Sequence, residues 1–323
     1  MAMNNAPAHH LKFALAPRVP MRMLEFQYPM RAAAQFSFRA EHVETNFQTY
    51  YADAGEWNMP FKILRSSSEA KPILMLLHGL GLHPASFRGI TAYLLKVCDL
   101  IVVDYTGFTS LHSWPDGGAG LRVLAHAIMR IPAALGLNKI HIGGSSLGGG
   151  LSIMAAVDFP THIHRIVLFN PAIFPQRLPS FYQLVRVPIL GPLIMRFMPP
   201  PHLISGVTTL GYVDASSTDE ELIHVYEDNM KSADNRLRVM DLIRHLPERE
   251  VEVRHYLSRA RALPHEVLLI WGEQDKLLAA GTGARLRDEL PHIDFHSFPD
   301  LAHLPHEESP DRIGPIVAEF IVR

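Results

Sequence analysis

The sequence has one cysteine, Cys98, in 323 residues. An internal disulfide is excluded, and cysteine usage says nothing about the redox compartment. Within YLLKVCDL, Cys98 reads as a small buried apolar residue. No run reaches the roughly 18 uninterrupted apolar residues of a membrane-spanning helix. The apolar stretch LKFALAP near the start is too short for a signal-peptide core, and no small-residue cleavage site follows it. A cytoplasmic location is therefore expected. Thirty Lys and Arg against 32 Asp and Glu leave a formal net charge of −2. With no basic block carrying interleaved aromatics, nucleic acid is not an expected partner. There are 19 histidines, yet neither H-E-x-x-H nor a cysteine–histidine cluster occurs, so no metal and no cofactor are expected. No internal repeat is present.

What remains is a chain with 48% apolar and 19% charged residues, long enough for one large α/β domain with an insertion or for two small domains. The segments FSFRAEHVETN and FQTYYADAG alternate as a hairpin does. The runs KPILMLLHG, LIVVDYTG, KIHIGGS, HRIVLFNP and HEVLLIWGE are continuous, short and apolar, which predicts strands buried on both faces. Helical patterns alternate with them, in PASFRGITAYLLKVC, LRVLAHAIMRIPAAL and LGGGLSIMAAVDF. This alternation predicts a parallel sheet covered by helices. Ligands of such sheets bind beyond the carboxyl ends of the strands. The residues just after four of the strands carry suitable groups: HGLG (78–81), GSSLG (144–148), GEQD ending at Asp275, and FPDLAHLPHEESP containing His303.

GSSLG fits G-x-S-x-G with Ser146 at its centre, between a strand and a helix. The glycines allow a sharp turn that holds the Ser146 hydroxyl at a helix start, while Ser145 should be turned away, packed and hydrogen-bonded. A serine hydroxyl needs a base within hydrogen-bonding reach, and the base needs an orienting acid. His303 and Asp275 are the candidates. Backbone N–H groups of Leu147 and Leu80 are placed to meet an oxyanion.

LLHGLG, VVDYTGFTS, IGGSSLGG, WGEQD and AHLPHEESP, in this order, resemble the serine α/β-hydrolase superfamily from about Phe36 to Arg323. The resemblance implies an α/β-hydrolase fold: a mostly parallel eight-stranded sheet, helices on both faces, and a helical cap inserted after strand 6. It implies Ser146 as nucleophile, Asp275 as acid, His303 as base, and an oxyanion hole at Leu80 and Leu147. Relatives that place the acid after the sixth strand would use the position of Asn170 here, and asparagine cannot take that role. His306 competes with His303, but Pro305, Glu308 and Pro310 put His303 in the family's H-x-P-x-x-E-x-P register.

The expected organisation is an N-terminal arm or helix over 1–34, a core of 35–172 and 264–323, and a cap of 173–263. The part of the cap over 173–213 has three arginines and no acidic residue. Its apolar residues predict a substrate pocket lined by some of Phe181, Leu184, Leu190, Leu193, Ile194 and Phe197. An apolar cap is also compatible with peripheral membrane contact. The second part contains two amphipathic helices, the first opened by STDEE. The function expected is hydrolysis of a hydrophobic carboxylic ester through an acyl-enzyme, carboxylesterase- or lipase-like. One alternative is a C–C bond hydrolase of the meta-cleavage type, although such enzymes usually carry HGSGPG where this chain has HGLGLH. Another is a ligand receptor on the same fold with slow or no catalysis. Epoxide hydrolases and haloalkane dehalogenases of this fold carry aspartate where Ser146 stands. The oligomeric state is not legible.

Overall fold

The computed structural model describes residues 49–53, 58–66, 70–107, 119–175, 179–247, 250–290 and 292–323. Eight strands form one sheet: β1 (Thr49–Asp53), β2 (Asn58–Leu64), β3 (Ile73–Leu77), β4 (Asp99–Val103), β5 (Ile140–Ser145), β6 (Ile163–Phe169), β7 (Glu266–Gly272) and β8 (Ile293–Phe298). Their spatial order is β1-β2-β4-β3-β5-β6-β7-β8. The β1–β2 and β2–β4 pairs are antiparallel and the others parallel. The sequence predicts β1 but pairs it with 36–46, which, like the predicted arm of 1–34, lies outside the described residues. Among the described residues its partner is β2, in which Pro60 has the appearance of a strand breaker. The Pro60 carbonyl still accepts a hydrogen bond from Asp104 N at 2.9 Å.

The central strands are largely apolar because both their faces are covered. Met75 and Leu77 of β3 join a core with Leu124, Ile128 and Ala155, whereas Leu74 and Leu76 join Ile90, Leu94 and Val317 on the other face. The helices supplying these residues are α1 (Arg88–Leu94), α2 (Ala119–Ala134), α3 (Leu147–Asp158) and, at the end of the chain, a helix over Pro310–Val322. Cys98 is buried, as its neighbours suggest, and burial pushes its thiol up to about 12.

Between β6 and β7 stand six helices: α4 (Ser180–Arg186), α5 (Leu190–Phe197), α6 (Pro200–Gly211), α7 (Glu220–Asn229), α8 (Ala233–His245) and α9 (Glu250–Ala260). Asp219 caps α7 by accepting from the N–H groups of Glu221 and Leu222. Helices α4 to α8 share a core of Val185, Met195, Ile204, Leu222, Tyr226, Val239 and Ile243, which also takes in Leu82 and Leu304 from loops of the sheet. After β7 come α10 (Thr282–Glu289), then β8, α11 (Pro305–Glu308) and α12, the helix over Pro310–Val322. Among the described residues, no helix is long and apolar enough to cross a membrane.

Candidate active site

The turn after β5 is set by two glycines. A β-carbon at Gly148 would lie 2.0 Å from the Leu77 carbonyl oxygen, and one at Gly144 would lie 2.4 Å from the Gly148 carbonyl carbon. Chain and helix can approach this closely only without those atoms. Ser146, between them, is held at φ 53 and ψ −119, immediately before the first residue of α3. Positive φ in a residue with a β-carbon is strained, and here the surrounding contacts impose it. Ser145 is fully buried, as expected, but its Oγ has no hydrogen-bond partner in the protein. The expectation of a hydrogen-bonded Ser145 is therefore corrected: the strand that buries it leaves no acceptor beside it.

Leu147 opens α3, so its N–H has no partner within the helix. Leu80 sits in a turn closed by Leu82 N donating to Gly79 O at 3.1 Å. Gly79 brings this turn onto the turn that carries Ser146: its β-carbon would lie 3.4 Å from that of Ser146. His78 braces the turn from below. Its ring stacks on Tyr105 with centroids 4.2 Å apart, and its Nδ1 donates to Gly79 O at 2.8 Å.

Asp275 and His303 come from the ends of β7 and β8. His303 Nδ1 lies 2.7 Å from Asp275 Oδ2, and both side chains are almost wholly buried. A carboxylate only accepts, so Nδ1 carries the proton and Nε2 of the neutral ring keeps its lone pair. Asp275 accepts three further bonds: from Leu277 N and Leu278 N on Oδ1, at 2.8 and 2.9 Å, and from Asn170 Nδ2 on Oδ2, at 2.8 Å. Burial by itself would raise the Asp275 pKa. His303 and these donors outweigh it and hold the carboxyl below its ordinary value.

Asn170 is the residue whose part the sequence does not reveal. It stands at the end of β6 with φ 39, donates to Asp275, and accepts from Gly272 N at 2.9 Å. The other carboxylates near this region are committed elsewhere. Asp294 pairs with Arg323 at 2.6 Å, and Glu273 accepts from Ser297.

His306 is fully buried, with Nε2 2.9 Å from Ser86 Oγ and its ring beside Phe87 and Phe169. Burial, and then the charge of His303, lowers its pKa to about 3, so it is a neutral packing group. Next to it, the buried carboxyl of Glu307 accepts from Ser86 Oγ, Tyr212 OH and Tyr226 OH. Glu308 accepts from Ala302 N at 2.6 Å and Val213 N at 2.7 Å. Both acids thus tie the inserted helices to the chain that carries His303.

Burial raises Glu307 above its ordinary 4.5, against the pull of the three hydroxyls. A carboxyl with a raised folded-state pKa adds stability below its unfolded pKa, and that stability is lost as pH rises through the folded value. Glu307→Gln has no such titration. The difference in melting temperature, variant minus wild type, is therefore expected to shift in the variant's favour between pH 4.5 and 7. A difference that does not change with pH would refute the burial argument.

Ser146 and His303 open into one cavity of about 810 Å³, mouth included, lined also by Leu80, Leu82, Leu147, Phe174, Tyr182, Val207, Leu246, Leu277, Leu278 and Leu304. Ser146, His303 and the Tyr182 hydroxyl supply the polar side-chain groups among its described lining residues. None of the six pocket residues expected from sequence lines it. Leu184, Leu190, Leu193 and Phe197 are exposed, Ile194 packs against the core of the inserted helices, and Phe181 lines a neighbouring cavity. Helical spacing puts apolar residues on a common face but does not say what the face meets. Here Val185, Gly191 and Met195 turn inward, whereas Leu184, Leu190 and Leu193 turn out. Among the described residues, no group of three His, Cys, Asp or Glu is arranged to hold a metal ion.

A family model described as the alpha/beta hydrolase family matches residues 74–314. The chain belongs to this family. Among curated alpha/beta hydrolase relatives, a 2-hydroxy-6-oxononadienedioate/2-hydroxy-6-oxononatrienedioate hydrolase of Paraburkholderia phymatum is 25% identical over 78% of this chain and 87% of its own. An uncharacterized hydrolase of Bacillus subtilis is 26% identical over 77% and 89%. Among solved structures, the 2-hydroxy-6-oxo-6-phenylhexa-2,4-dienoate hydrolase of Rhodococcus sp. strain RHA1 superposes with a TM-score of 0.71. It is 19% identical and covers 87% of this chain and 100% of its own. At that identity the likeness establishes the fold.

Proposed function

We propose that this alpha/beta hydrolase is a serine hydrolase that cleaves an uncharged, apolar carboxylic ester, with helices α4 to α8 of the expected 173–263 cap acting as its cap, since Val253, Tyr256, Leu257 and Ala260 of α9 pack into the core of the sheet. The observation that carries this reading is the cavity: the Ser146 hydroxyl, the His303 imidazole and the Tyr182 hydroxyl in otherwise apolar walls, with no charged side chain among its described lining residues. His303 Nε2 takes the Ser146 proton as Oγ attacks the ester carbonyl carbon. The N–H groups of Leu80 and Leu147 meet the oxyanion, and Asp275 stabilises the imidazolium through Nδ1–H. Collapse breaks the C–O bond, and the alcohol leaves with the proton from His303. A water, deprotonated by the same imidazole, then releases the acid and restores the Ser146 hydroxyl.

A second reading, C–C bond hydrolysis of the meta-cleavage type, has the names of the relatives on its side, and by that measure it stands ahead of the ester reading. The chemistry of the walls opposes it. A dienedioate is a dianion at neutral pH, and no Lys or Arg is present among the described lining residues to receive it. The two readings separate by turnover of p-nitrophenyl butanoate and of 2-hydroxy-6-oxononadienedioate. The ester is expected to have the higher kcat/KM, by about a hundredfold or more, the worth of two unpaired charged contacts. The reverse order would replace the ester reading with the C–C one.

A further inference from the structure

Beside the cavity at Ser146 lies a second one of about 990 Å³, mouth included. Leu80, Pro179, Tyr182 and Val207 line both. These four side chains stand at the boundary between the two chambers. On its far side the apolar walls include Met195, Met198, Leu210, Met230, Val239 and Ile243. Three are methionines, whose unbranched, polarizable side chains adapt to a flexible apolar guest. His202 and Ser205 also line this chamber, and both are exposed, so its polar groups mark an outer mouth. At that mouth Gly206 leaves open space, with no atom within 4 Å of the position a β-carbon would take.

We propose that the two chambers join through a neck at these four side chains and form one channel for a long, unbranched acyl chain. The carbonyl sits at Ser146 and the chain threads the neck between Tyr182 and Val207 to end among the methionines. The inference rests on the ester reading for its chemistry and extends it by naming the substrate class. The shape argument is separate: a neck walled by four side chains admits a single polymethylene chain more readily than a ring. Each methylene seated in the channel multiplies affinity by up to about fourfold.

The test uses p-nitrophenyl dodecanoate and butanoate, below their aggregation limits, with wild type, Met198→Trp and Leu210→Trp. Both substitutions fill the second chamber at half-buried positions that do not line the first. Wild type is expected to favour dodecanoate in kcat/KM by about tenfold or more. At least one folded variant should lower the dodecanoate-to-butanoate ratio about tenfold. An unchanged ratio in both variants, or a wild-type preference for butanoate, would overturn the channel. Calorimetric binding of 1-dodecanol to Ser146→Ala, with and without Met198→Trp, separates the two readings because it needs no turnover. If no ester is cleaved, the ester reading fails, and the channel stands only if dodecanol binds and the tryptophan blocks it. If dodecanol does not bind, or binds equally in both, the channel fails.

Discussion

Ser146→Ala is expected to lower ester turnover by a factor on the order of 10⁴ or more, and removing His303 as well should lower it little further. The two side chains form one device: the hydroxyl is inert without the base, and the base has nothing to activate without the hydroxyl. Losses from a unit of this kind do not add. What survives is the contribution of groups the substitution leaves in place, namely the N–H groups of Leu80 and Leu147 and the apolar cavity. Alanine keeps the β-carbon, so the turn at φ 53 is no more strained than before. The melting temperature should therefore hold, and loss of fold is separable from loss of chemistry. An organophosphonate should label Ser146 and leave Ser145, which is fully buried, untouched. Multiplicative losses in the double variant, or a label on Ser145, would sink the assignment.

Asp275→Asn is expected to cost about 10⁴ in kcat with the fold intact. The reason lies in the four donors around this carboxyl. An asparagine oxygen can keep the bonds from Leu277 N and Leu278 N. Its NH₂ then faces Asn170 Nδ2 and His303 Nδ1, where an acceptor is required. To avoid two N–H groups pointing at each other, His303 must place its proton on Nε2. That tautomer cannot accept the proton of Ser146. Nuclear magnetic resonance of the imidazole nitrogens should show the switch, with the proton on Nδ1 in wild type and on Nε2 in the variant. Full activity, or an unchanged tautomer, would show that Asp275 does not orient the base.

The sequence by itself determines those features whose cause is local. A strand segment buried on both faces is largely apolar, so 73–77 of β3, 100–103 of β4, 166–169 of β6 and 267–271 of β7 stand out as uninterrupted apolar runs. The turn that carries Ser146 is legible because Gly144 and Gly148 occupy positions where a β-carbon would meet backbone at 2.4 and 2.0 Å. Asp275 and His303 could be singled out because parallel strands deliver the residues after their carboxyl ends to one edge of the sheet. Tertiary structure alone decides what depends on neighbours distant in the chain. The bond between Asn170 and Asp275 exists because β6 and β7 are adjacent in the sheet. Glu307 collects Ser86, Tyr212 and Tyr226 from three separate segments, a grouping without any sequence period. The cavity at Ser146 draws Gly79, Ala172, Tyr182, Leu246 and Leu277 together in the same way. Helical periodicity marks Leu190, Leu193 and Phe197 as one apolar face, but whether that face meets a cavity or solvent is set by how α5 rolls against α4 and α8. Gly191 fixes that packing, since a β-carbon there would lie 1.9 Å from Val185 O, and it leaves those three side chains exposed.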